Sequence, residues 1–271
     1  VRTTDFEWGI NVNFAKNDNE VTKLYGDLEQ VTIGSAPFKA TVNAMLGERY
    51  GQIRGTDFIY DSEGNKVVGA SGLYLSSGVK NLGSILPDWN MGIRNNFSYK
   101  NLSVSALLDI QQGGKYFSVT NMFGMYSGML EETAANNVRE TGTISQGVTG
   151  TVTSNGDGTY TVTNTAQNTK NVSAASYYGH YYSGPTAQNV FDADYVKLRE
   201  VTVSYTFPKK WSGPFSNVVV SAFGRNLGTW GLDNKHIDPE QASGGSGNIQ
   251  GLEGGSLPST RTYGMNLKLQ F

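Results

Sequence analysis

Residues 6–14 read Phe6-Glu7-Trp8-Gly9-Ile10-Asn11-Val12-Asn13-Phe14. Large apolar side chains fall at every even position, and small or polar ones at every odd position. Successive side chains of a strand point to opposite faces, so Phe6, Trp8, Ile10, Val12 and Phe14 share one face. One such strand would suit a soluble sandwich as well as a membrane wall. How often the pattern returns, and how the returns are joined, decides between them.

The pattern returns at 88–100, 101–113, 194–207, 216–230 and 260–271. Trp89, Met91, Ile93, Phe97 and Tyr99 alternate with Asn90, Arg94, Asn96 and Ser98. Leu102, Val104, Ala106, Leu108 and Ile110 follow the same rule. Several of these runs exceed the ~9–11 residues with which a tilted strand crosses a bilayer. The joins alternate in length: Tyr99-Lys100-Asn101 and Pro208 to Pro214 are short, whereas 114–192 and 231–259 are long. Outer-membrane barrels have short periplasmic turns and long external loops. Loops this long are uncommon in a compact soluble domain.

Composition agrees. Gly supplies 34 of 271 residues, aromatic residues 11% and charged residues 16%, against a usual charged share of about 25%. Mean hydropathy is nevertheless −0.36, as expected when lipid-facing apolar residues alternate with lumen-facing polar ones. No apolar run approaches the ~20 residues of a spanning helix. The absence of cysteine excludes thiolate metal sites, disulfides and Cys nucleophiles. A net charge of −2 gives no case for nucleic acid.

The reading is an all-β chain forming part of a transmembrane antiparallel β-barrel, with about seven strands and long extracellular loops. The seventh strand is expected within 16–60, where an odd number would place the chain end in the periplasm, and 42–58 is the candidate. Seven strands cannot close a bacterial single-chain barrel, which needs an even count of eight or more. Two open edges would leave backbone groups unpaired in lipid at several kcal/mol each. The chain is therefore expected to work inside a larger barrel. Val1-Arg2-Thr3-Thr4 carries no signal peptide, which also suggests processing or a partial stretch.

Several motifs in order resemble SusC/RagA-like TonB-dependent transporters. They are Ala193-Asp194-Tyr195-Val196-Lys197-Leu198-Arg199-Glu200-Val201 through Pro208, then Gly224-Arg225-Asn226-Leu227 with Thr229-Trp230, then Ile237-Asp238-Pro239-Glu240, and finally Pro258 through Phe271. Upstream, Pro87-Asp88-Trp89, Phe97 to Asn101, and Gly113-Gly114-Lys115 resemble an earlier hairpin; residues 140–190 stay uncovered. The resemblance implies the C-terminal part of a 22-stranded barrel, without signal, plug and earlier strands. It further implies import of a nutrient oligomer, glycan or peptide, across the outer membrane of a Gram-negative, Bacteroidetes-like bacterium. The implied partners are a SusD-like surface lipoprotein, the TonB complex, the plug and remaining barrel, and a dimer of transporter–lipoprotein pairs. A siderophore or cobalamin receptor, or an adhesin or assembly barrel, is the alternative.

Candidate site residues follow. Tyr263, Met265, Leu267, Leu269 and Phe271 look like the signal read by the barrel-assembly machinery, on what is otherwise simply a lipid-facing strand. Trp89, Trp211 and Trp230 lie near strand ends, where aromatic rings anchor at the membrane interface. Tyr177, Tyr178, Tyr181 and Tyr182, beside His180 in the longest loop, offer ring faces to a ligand; loop self-packing is the plainer reading. His236, Asp238 and Glu240 have metal-ligand chemistry, but Pro239 interrupts the spacing, so no metal is expected. Asn155-Gly156-Asp157-Gly158 reads as the turn of a hairpin rather than a calcium loop. No catalytic constellation or cofactor motif is present: there is no G-x-S-x-G, H-E-x-x-H or P-loop.

Overall fold

A computed structural model describes residues 1–242 and 250–271. Six long strands form one antiparallel sheet in chain order: β1 (Phe6–Lys16), β2 (Trp89–Tyr99), β3 (Leu102–Gln112), β4 (Tyr195–Thr206), β5 (Asn217–Trp230) and β6 (Thr262–Gln270). Register follows the alternation. Trp8, Phe97, Val104, Val203, Ala222 and Met265 make one continuous row across all six strands. The row one step toward the short turns is polar throughout: Glu7, Ser98, Ser103, Ser204, Ser221 and Asn266. Serine pairs bridge it, Ser98 to Ser103 at 3.1 Å and Ser204 to Ser221 at 2.8 Å.

The apolar face has no protein cover. Val12 is 56% exposed and Met265 78%, and a contiguous apolar surface of this extent marks a surface made for contact with an apolar medium. Trp8 stacks on Phe97 with ring centroids 5.9 Å apart. The two borders, β1 and β6, each pair with one neighbour only, and not with each other.

Among the described residues the wall has six strands, not seven. Residues 42–58 are instead part of two short strands, Thr41–Met45 and Gln52–Phe58, of a separate four-stranded sheet with Gln30–Ser35 and Ser76–Ser84. The parity argument failed at its starting point. β1 already runs from the short-turn end, where Phe6 faces Tyr99, to the long-loop end, where Lys16 faces Trp89. An even number of extra wall strands is needed before β2, and here it is zero.

β4 carries one irregularity, a bulge between Leu198 and Glu200 that interrupts the register with both neighbours. The extra residue, Arg199, lets Leu198 and Val201 share a face three positions apart. It also sends the Arg199 side chain to the polar side, as bulges re-aim side chains.

At the long-loop end the three long connections fold together. Val42 and Ile53 from the first, Phe117 and Met122 from the second, and Leu252 from the third pack in one buried core. Lys115–Ser118 lies between Val190–Asp192 and Leu252–Glu253 in a three-stranded sheet. Gly113, with φ +78°, turns the chain out of β3 beside Asp88, where an added Cβ would lie 2.4 Å from the Asp88 carboxylate. Val148–Ser154 and Tyr160–Gln167 form the expected hairpin around Asn155–Gly158.

Candidate functional site

The tyrosine group sits on a helix, not an irregular loop. Ser173 caps it by accepting from the Ser176 N–H at 3.2 Å, and the helix Ala174–Ser183 ends before Gly184-Pro185. A serine cap, two alanines and a terminal Gly-Pro are helix start and stop signals. Helical geometry then divides the four rings. Tyr177, Tyr178 and Tyr181 pack on one another, with centroids 5.2 to 6.4 Å apart. Tyr182 points elsewhere, against Tyr126 at 5.3 Å and Phe38 at 5.7 Å.

Tyr178 donates to the Glu132 carbonyl at 2.6 Å. Burial pushes the Tyr181 phenol up to about 12, with Tyr178, Tyr74 and Glu132 adding to the shift. Burial likewise raises Tyr177. These hydroxyls are neutral donors at any physiological pH. His180 meets the Tyr74 carbonyl at 2.8 Å, and burial lowers its pKa against that hydrogen bond.

Two clefts flank Tyr181. One, of about 390 Å³, takes in Glu132, Asp233 and His236. The other, of about 260 Å³, takes in Lys66, Tyr74 and Tyr177. Both are lined by Tyr181, Gln188, Phe191 and Asp233. The arrangement offers ring faces, hydroxyls and carbonyl oxygens, which suits non-covalent capture.

A second polar centre lies where the loops meet the wall. The Lys197 ammonium, its side chain 3% exposed, lies 2.5 Å from both Asp238 and Glu240. Arg199 donates to Asp109 at 2.8 Å and to Glu240 at 2.6 Å. Burial alone would raise the Glu240 carboxyl, but the hydrogen bonds from Arg199 and Lys197 and their charges outweigh it and hold it at about 2. His236 turns away from this centre and meets Glu132 at 3.0 Å. His236 thus belongs to a different cluster from Asp238 and Glu240, and no group of metal-ligating side chains occurs among the described residues.

Trp89 is the first residue of β2 and Trp230 the last of β5, both at the long-loop end, whereas Trp211 lies in the short β4–β5 connection. Tyr263, Met265, Leu267 and Leu269 face outward along β6, and the Phe271 ring meets Phe215 at 5.1 Å.

No protein-family model matches the chain. Two curated proteins of Formosa agariphila align along all of it. TonB-dependent receptor P26 is 27% identical over 297 residues, and TonB-dependent receptor P3 is 25% identical over 304. Among solved structures, the RagAB peptide importer in its closed-closed state superposes with a TM-score of 0.65 at 16% identity, covering the whole chain. Its open-open state gives 0.63 at 15%. The chain is similar along its whole length to these TonB-dependent receptors, and it shares the fold of part of the RagAB importer. It spans about 28% of the first curated relative and 27% of the second. Lys197 and Arg199 of one motif hold Asp238 and Glu240 of another. Sequence reading quoted both motifs without joining them. It also missed Gln188, Asp233 and Phe191, because single residues in a long loop carry no period.

Proposed function

We propose that the chain forms part of the wall and outer mouth of an outer-membrane barrel that imports short peptides, energised through TonB. The observation that carries this reading is the division of the molecule. A sheet with one largely apolar face, in which Asn95 accepts from the Trp8 indole, is topped by three loops folded into a single body with clefts. The apolar rows face lipid, and the loop body faces outside and meets the cargo. The RagAB likeness supports peptide as the cargo class and a surface lipoprotein as the partner that covers the mouth. Trp89, Trp211 and Trp230 anchor the wall at the two interfaces, and Tyr263 through Phe271 present the assembly signal. Tyr177, Tyr178 and Tyr181 contribute to cargo contact.

Uptake of a fluorescent oligopeptide by cells is the direct test. Deleting the gene for this receptor, or dissipating the proton-motive force, should abolish uptake. Undiminished uptake in the deletion strain would sink the proposal. Orientation is checked separately with cysteines at Asn155 and Ser212 and an impermeant reagent on intact cells. Asn155 should label and Ser212 should not.

A further inference from the structure

The clefts beside Tyr181 are unevenly supplied with hydrogen-bonding partners. The Gln188 side-chain carbonyl oxygen is buried and has no hydrogen-bond partner. A buried acceptor left unmet is unfavourable, so an occupant that donates to it gains what the empty site forgoes. Asp233 stands exposed at the mouth. Its carboxylate accepts from the Asp192 N–H at 3.0 Å, and no salt bridge involves it among the described residues.

In the larger cleft the other charges are matched. Glu132 is met by Lys235 and His236, each at 3.0 Å. Lys66, whose ammonium lies 3.8 Å from the Phe58 ring centroid, lines only the smaller cleft. Asp233 is left as the uncompensated charge, and Tyr181 and Phe191 supply rings alongside it. An acceptor without a donor, a carboxylate without a counter-charge and aromatic faces together favour a cation that also donates hydrogen bonds.

We propose that the larger of these clefts, of about 390 Å³, receives a basic side chain of the imported peptide, a lysine ammonium or an arginine guanidinium. Gln188 accepts at depth, Asp233 pairs with the charge at the mouth, and the Tyr181 and Phe191 rings flank the aliphatic stem. The inference rests on the peptide-import reading and adds a preference for basic peptides to it.

The test uses the complete receptor with its lipoprotein in detergent. Two octapeptide pools are titrated, identical except that one carries lysine wherever the other carries norleucine. The lysine pool should bind at least about tenfold more tightly, the effect of one charged hydrogen bond. Asp233→Asn should erase that advantage, and an unchanged melting temperature of the variant shows that it is folded. Gln188→Met should reduce the advantage in part. Equal binding of the two pools by the unaltered receptor overturns this proposal and leaves peptide import standing. A lysine advantage that survives Asp233→Asn overturns it as well. Binding of neither pool overturns it together with the peptide-import reading.

Discussion

The wall and the loop body are built by different means. The wall repeats one rule: apolar outside, polar inside, neighbours in sequence paired in space. Each β2 residue from Trp89 to Tyr99 meets its β3 partner through the two-residue turn Lys100-Asn101. Each strand announces itself by its own alternation, even where a long connection separates it from its partner. The loop body depends on distant meetings. Phe117 packs with Val42 and Leu252, partners 75 and 135 residues away along the chain. Local rules make a wall that sequence can disclose. Distant meetings make a mouth that can vary while the wall stays the same.

The two regions are tied at Lys197, and the largest expected effect lies there. Lys197→Met would leave Asp238 without its buried cation and Glu240 with Arg199 alone. Removing one partner of a buried ion pair costs roughly 3–5 kcal/mol. Unfolding of the whole receptor in lipid should register that loss. A change under about 1 kcal/mol would mean that the wall and loop body are held together by something else.

Next comes the wall itself. Val203 faces outward in the row shared with Val104 and Ala222, and Thr202 faces inward beside Ser105. Val203→Arg near the bilayer midplane should cost roughly 2–4 kcal/mol. Thr202→Arg should cost clearly less, since its side chain enters the polar side. Equal costs in a lipid unfolding series would reverse the face assignment and erase the contrast between the wall's two sides.

Acid should act on the tie more than on the wall. The folded Glu240 carboxyl is held at about 2 against an ordinary 4.5. A depressed carboxyl stabilises fully above its unfolded value and loses that contribution as pH falls toward the folded one. Melting temperatures of the native receptor and of Glu240→Gln should therefore differ at neutral pH and converge between about pH 4.5 and 2. A constant difference across that window would exclude Glu240 as the acid-sensitive member.

How much of this was legible follows from the same contrast. All six wall strands could be read with bounds within two residues, because period-2 runs of nine or more have no rival explanation. The bulge at Arg199 could not: Val196, Leu198 and Val201 look like a simple lapse in alternation until Asp109 and Glu240 give Arg199 somewhere to go. The strand placed at 42–58 failed because its apolar residues, Val42 and Ile53, are buried in the loop core rather than facing lipid. The Tyr177–Tyr182 helix did leave a signal in Ser173 and Gly184-Pro185, though nothing in the sequence shows that Tyr182 parts from the other three.

The smallest effect is expected at the Val148–Gln167 hairpin. Its base is fastened: the Val148 N–H donates to the Lys66 carbonyl at 2.9 Å and its carbonyl accepts from Val68 at 2.7 Å. Beyond the base, the Tyr160 hydroxyl accepts from the Gly78 N–H at 3.0 Å. The tip is closed on itself, with Asp157 accepting from Thr159 and Asn155 donating to Thr159. Residues 152–162 can therefore be replaced by Asn-Gly, a sequence suited to a two-residue hairpin turn, without touching the shared core or the wall. Loss of the Tyr160 contact, a single neutral hydrogen bond, should cost about 1 kcal/mol at most. Equilibrium unfolding of the shortened receptor measures this. A loss approaching that of Lys197→Met would mean that the hairpin belongs to the cooperative body of the mouth, and that the boundary between fixed and variable regions lies further out than the core around Phe117.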